Sequence, residues 1–214
     1  MDMWGFVLHS PEVRDWHWGT AIAVVINLLT LYQATATIGQ MRRIFVDRST
    51  LGVSTITMAY YAFYFQAFLI YGIHKDALTM VGNALQFVIY IPLLVGLWKY
   101  GDRGVRRTLC FAIPTFALLP IIMFLTPWKE PFILILLGCI LVTQWLVYRE
   151  LRRVDGVGSF EIRFAYAFLV NAIFWFFYAV SLHDVPLMIF NPIAIVLLSM
   201  TILLYAKKKR ALVK

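Results

Sequence analysis

The sequence predicts an all-α integral membrane protein of seven transmembrane helices, arranged as two parallel three-helix repeats joined by a linker helix in a 3+1+3 order. Three observations predict it. The apolar runs are long enough to cross a bilayer, the basic residues lie on one side, and the two halves of the chain carry an ordered set of matches.

The chain has 214 residues, of which 62% are hydrophobic and 14% charged. A soluble domain carries about 25% charged residues. The mean hydropathy is +0.79. The apolar residues fall into runs of roughly 20, which cross ~30 Å of hydrocarbon at 1.5 Å per residue. The expected spans are 18–38, 53–73, 77–98, 106–126, 131–148, 162–182 and 185–206. The first follows a segment, 1–17, with no basic stretch leading into an apolar core, so it does not read as a signal peptide. Its Trp4, Phe6 and Trp16, with Trp18, suit an interfacial anchor outside the membrane. Spans two and three complete a first unit, 18–98. The fourth lies in a linker, 99–130. Spans five to seven form a second unit, 131–206, followed by a basic tail, 207–214.

Charge orients the spans. Arg42, Arg43 and Arg48 follow span one, and Lys99, Arg103, Arg106 and Arg107 follow span three. Arg149, Arg152, Arg153 and Arg163 lie between spans five and six. Lys207, Lys208, Lys209, Arg210 and Lys214 form the tail. These are sixteen of the 19 basic residues; only Arg14, Lys75 and Lys129 lie on the other side. The bias puts the tail in the cytoplasm and the N-terminus outside, with a plasma or cell inner membrane as the expected location. The net charge of +8 is then a matter of topology and of anionic lipid headgroups, not of nucleic acid. Cys110 and Cys139 fall inside spans and read as small apolar residues.

The halves match in order. A shift of 104 carries Gln40 to Gln144, Gly52 to Gly156 and Val53 to Val157. A shift of 107 carries Phe68 to Trp175 and Tyr71-Gly72 to Tyr178-Ala179. A shift of 108 carries Asp76 to Asp184 and Asn83 to Asn191. Equivalent helices are four apart, an even offset, so the units run parallel.

Polar residues inside the spans are the candidate site. An unpaired amide in an apolar medium costs about 2–7 kcal/mol. Asn83 and Asn191 therefore need a neighbouring helix, water or a ligand. At equivalent positions of a repeat they face each other across the pseudo-axis, which favours a shared solute. Trp175 and Phe68 offer flat faces for the apolar side of a solute, and Asn171 and Tyr64 lie one turn earlier on the same helical faces. Thr30 and Gln33 share a face of span one. Thr35 and Thr37 are expected to bond back to their own helix.

All eleven acidic residues fall at span ends or in loops. Ion-coupled pumps ordinarily place an ionisable group inside the membrane, so passive movement of a neutral solute is expected. Asp76 and Asp184, at the outer ends, are the candidates for coupling or gating. His9, His17, His74 and His183 all fall on the outer side, and none has the helical spacing of a zinc enzyme. No phosphate loop and no nucleophile elbow is present, so neither an enzyme nor a cofactor is expected.

Gln40, Arg48-Ser49-Thr50, Gly52 and Ser54 resemble the loop of the PQ-loop superfamily. Asn171-Ala172, Trp175 and Tyr178-Ala179 are similar to the sixth helix of SWEET sugar transporters, and Asn83 and Asn191 to the asparagines of their third and seventh helices. The resemblance covers spans one to three and five to seven; span four matches only in position. It implies alternating access for a mono- or disaccharide, with Thr30 and Gln33 among the pocket residues of the first helix. Gly39 and Thr143 stand where the superfamily motif has proline, and spans one, two, five and six hold no internal proline. Gly39 and Gly156 are the expected sources of flexibility beside Gln40 and Gln144. Two alternatives stay open: a PQ-loop transporter of an amino acid or other small solute, and a non-transporting receptor or scaffold. So does homo-oligomerisation.

Overall fold

The computed structural model describes residues 18–75, 80–125, 127, 129–182 and 184–213. The N-terminal segment 1–17 and Asp76 lie outside them. The described residues form seven helices: α1 (Trp18–Asp47), α2 (Thr55–Lys75), α3 (Met80–Tyr100), α4 (Arg103–Leu125), α5 (Lys129–Arg153), α6 (Ile162–Leu182) and α7 (Val185–Val213). Among the described residues no strand occurs. Five of the helices, α3 to α7, are long and apolar enough to cross a membrane, and the described apolar part of α2 is Thr55–Ile70.

Three helices outrun their expected spans at the basic end by more than a turn. α1 continues to Asp47, α5 to Arg153 and α7 to Val213. Arginine and lysine are good helix formers, so leaving the apolar layer does not end a helix. The tail at 207–213 is thus the last two turns of α7, not a separate segment. α1 stops where Arg48 adopts a left-handed conformation, φ 49°, the cap geometry usually given to glycine.

The next helices start on side-chain caps that satisfy otherwise orphaned amide groups. The Thr57 N–H donates to Ser54 Oγ (3.4 Å), that of Val105 to Asp102 Oδ1 (2.8 Å), and that of Leu187 to Asp184 Oδ1 (3.1 Å). The carboxylate of Asp184, the expected coupling or gating group, caps α7. Prolines interrupt α3 at Pro92, α4 at Pro114 and Pro120, and α7 at Pro192. α1, α2 and α6 hold none.

The packing order repeats. α3 packs between α1 and α2, and α7 packs between α5 and α6. The two sets meet through α1 against α6 and α2 against α5. Followed around, α1, α3, α2, α5, α7 and α6 form a closed ring, with α4 outside it against α2 and α3. The outer faces are apolar: Leu28, Val46, Phe111, Phe124 and Leu203 are all exposed. A water-soluble surface rarely carries so continuous an apolar covering; lipid solvates it.

Within the ring, close approach depends on small residues. A Cβ on Gly82 of α3 would lie 2.6 Å from Thr30 Cγ2, and one on Gly96 2.7 Å from the Phe45 ring. Those two glycines let α3 seat against α1. Small residues at helix interfaces serve this purpose in membranes, where packing replaces the hydrophobic effect between helices.

Candidate functional site

The ring encloses a cavity of about 110 Å³. A water needs roughly 10–15 Å³ of such space, so the cavity takes several waters or a small solute in their place. Its lining comes from the N-terminal parts of α1, α3 and α7, the C-terminal half of α2 and the middle of α5 and α6. It therefore lies away from the basic loops.

All eight residues expected to contact solute line this one cavity: Thr30, Gln33, Tyr64, Phe68, Asn83, Asn171, Trp175 and Asn191. They are brought together because the ring apposes α1 with α6 and α2 with α5. Among the described residues no Asp, Glu, Lys, Arg or His side chain is in the lining. Polar groups enter the lining from all six helices of the ring, and hydrogen bonds brace the helices that carry them. Asn171 Nδ2 donates to Gln33 Oε1 at 2.7 Å, joining α6 to α1. Gln86 Nε2 donates to the Thr30 carbonyl (3.2 Å), and Thr37 Oγ1 lies 3.4 Å from Gln86 Oε1, joining α3 to α1. Asn191 Nδ2 donates to the Leu187 carbonyl, one turn back in α7, at 2.8 Å. The hydroxyls of Thr30, Thr35 and Thr37 bond back to carbonyls of their own helix. Leu137, Ile140, Leu141 and Phe190 add apolar surface to the lining from α5 and α7.

Aromatic rings floor the cavity on its basic side. Tyr61 of α2 lies 4.9 Å from Phe168 of α6, centroid to centroid, and Phe168 lies 4.4 Å from Phe164. Tyr61 also meets Tyr90 of α3 at 6.1 Å. Tyr61 and Phe168 are equivalent under the 107-residue shift, so the floor is a self-contact of the two halves. Tyr64 and Phe68, 4.4 Å apart, rise from it toward the cavity.

Beyond the floor, the 1–2 and 5–6 loops pair with each other. The Ser159 N–H donates to the Leu51 carbonyl at 2.7 Å. Gln40 clamps the 5–6 loop from α1: its Nε2 donates to the Ser159 carbonyl and its Oε1 accepts from the Glu161 N–H, both at 2.8 Å. Arg43, one turn on, donates to the carbonyls of Phe160 (2.8 Å) and Gly158 (3.2 Å). Lys208 of α7 donates to the carbonyls of Arg152 (3.2 Å) and Val154. Gly52 and Gly156 hold the same left-handed turn, φ 79° and 81°, in keeping with their equivalence in sequence.

The expected gating residues therefore separate. Gln40 is the clamp just described. Gly156 shapes the loop. Gly39 lies in an unbroken stretch of α1, where a Cβ would meet the Arg163 guanidinium at 3.1 Å; its smallness makes room for α6. Gln144 is not at the loops but in the cavity wall. Sequence reasoning missed Asn27, Gln86 and the aromatic floor. Asn27 is three residues before Thr30, and Gln86 three after Asn83, so helical spacing from the residues already chosen was the available signal.

No family model matches the chain. The protein called "Sugar transporter SemiSWEET" from Vibrio sp. (strain N418) is 34% identical over 82 residues. Those residues make up 84% of that protein and 37% of this chain, so the relative is less than half as long. Among solved structures, a eukaryotic SWEET transporter at 3.7 Å resolution superposes with a TM-score of 0.60 at 14% identity. The match covers 90% of this chain and 97% of that one, a likeness of fold around the whole seven-helix bundle.

Proposed function

Since this chain belongs to the SWEET and SemiSWEET family of sugar transporters, we propose that it carries small neutral sugars passively across a membrane by alternating access. The observation that carries this reading is the chemistry of the cavity wall. It offers amides, hydroxyls and aromatic faces, with no Asp, Glu, Lys, Arg or His among the described residues to bind a coupling ion or to balance a charged solute. Neutral amides can trade hydrogen bonds with sugar hydroxyls, and Trp175 and Phe68 can cover the apolar ring faces.

The units that move in this account are 18–98 and 131–206, linked by α4. They touch at the aromatic floor and at the paired loops, so rocking apart there opens the cavity to the basic side. On the sixteen-to-three charge bias we take that side as cytoplasmic and the N-terminus as outside, in a plasma or cell inner membrane. The cargo is a mono- or disaccharide. The test is uptake by proteoliposomes from a panel of labelled sugars and amino acids. Entry of a sugar with no entry of amino acids is expected; entry of amino acids alone overturns the reading.

A further inference from the structure

Gln40 and Gln144 are equivalent by the 104-residue shift, yet the fold uses them differently. Both ends of the Gln40 amide are engaged with the 5–6 loop, at 2.8 Å each. A matching clamp from Gln144 onto the 1–2 loop is replaced by a different tie. Thr57 Oγ1 of α2 donates to the Thr143 carbonyl of α5 at 2.8 Å, one residue before Gln144. Gln144 is thereby released to the cavity wall. It is 5% exposed, its side chain lies in hydrogen-bonding reach of the Tyr61 hydroxyl, and its Oε1 is buried with no hydrogen-bond partner among the described residues.

A second acceptor in the same wall is in the same condition. Asn171 donates through Nδ2 to Gln33, and its Oδ1 is buried with no hydrogen-bond partner among the described residues. A buried carbonyl left unpaired is expensive, and native proteins rarely keep one without a use. Two in one cavity, on α5 and α6, are both acceptors. What satisfies them must bring hydrogens.

We propose that Gln144 is a solute-binding residue, and that Gln144 and Asn171 together select solutes able to donate two hydrogen bonds. Sugar hydroxyls do this; ethers and fluoro groups of the same size do not. The assignment rests on the sugar-transport reading above and sharpens it.

The experiment compares wild type with Gln144→Met, Gln144→Glu and Gln40→Met in liposome uptake of labelled D-glucose, D-xylose and sucrose, with Tm measured for each protein. Methionine keeps length and volume and removes the amide; glutamate keeps an acceptor oxygen at the same reach. Gln144→Met should raise KM for the transported sugar about tenfold with no loss of Tm. Gln144→Glu should stay within about threefold of wild type. Gln40→Met, which removes the loop clamp, should lower Tm. Competition on the wild type adds a readout that needs no variant. At one or more positions, the monodeoxyfluoro derivative of the transported sugar should compete as weakly as the monodeoxy one. An unchanged KM in Gln144→Met, a fall in Tm as large as that of Gln40→Met, or fluoro derivatives that all compete like the parent sugar overturns the assignment while transport stands. Uptake of none of the three sugars by wild type overturns the transport reading, and the assignment with it.

Discussion

Asn191 gives one amide hydrogen to the Leu187 carbonyl, which holds its side chain in one orientation at the cavity wall. Such pre-orientation lowers the entropy a solute must remove on binding. Asn83, its counterpart on α3, lines the same cavity. If both amides serve the solute, Asn83→Ala or Asn191→Ala leaves a folded, inserted protein with transport largely lost. A hydrogen bond is worth about 0.5–1.5 kcal/mol net and an unpaired buried partner costs about 1–3, so sugar affinity should fall about ten- to hundredfold. Retained affinity with a clear drop in Tm in both variants would mean the amides only brace helices. The double variant should be non-additive, because the two residues share one partner. These residues were legible because an amide in an apolar run is conspicuous. Gln144 was conspicuous too, but the repeat suggested the role of Gln40 for it. A shift in sequence matches positions, while Thr57, which frees Gln144, has no hydroxyl counterpart at its 107-shifted position, Phe164.

At the scale of the element, the proposed cycle requires the paired 1–2 and 5–6 loops to part at the basic end. Gly158 is at φ 54°, and a Cβ there would lie 2.3 Å from the Leu51 carbonyl oxygen. Gly158→Ala thus carries about 1–2 kcal/mol of left-handed strain and a backbone overlap that side-chain motion cannot relieve. It should lower Tm by several degrees and weaken the Ser159–Leu51 pairing. Gly138→Ala, with nothing within 4 Å of the added carbon, should leave Tm unchanged or slightly raised, since alanine is the better helix former. Equal effects of the two substitutions, measured side by side, would remove the loops from the account of closure. Helix ends were the least legible elements. The arginines of 42–48 suggested a loop, yet only Arg48, through its backbone conformation, ends α1. Charge marks where the membrane stops, and caps and glycines mark where helices stop.

For the whole molecule, hydropathy was enough to read seven helices, because lipid demands long apolar stretches with internally satisfied backbones. The ring order was not legible, since it depends on which faces meet through Gly82, Gly96 and the aromatic floor. Orientation is tested by tags: one at Lys214 should be reached by a protease only from the cytoplasmic side, and one at Met1 only from outside. Both termini on one side would mean an even number of crossings and overturn the 3+1+3 plan. The central claim, passive passage of a neutral sugar through a cavity without ionisable groups, is tested most directly by the final distribution of a transported sugar across liposomes under an imposed proton or sodium gradient. The account predicts equal concentrations inside and outside, reached at the same level with either gradient or none. Accumulation of the sugar above its outside concentration, driven by either ion, would contradict it.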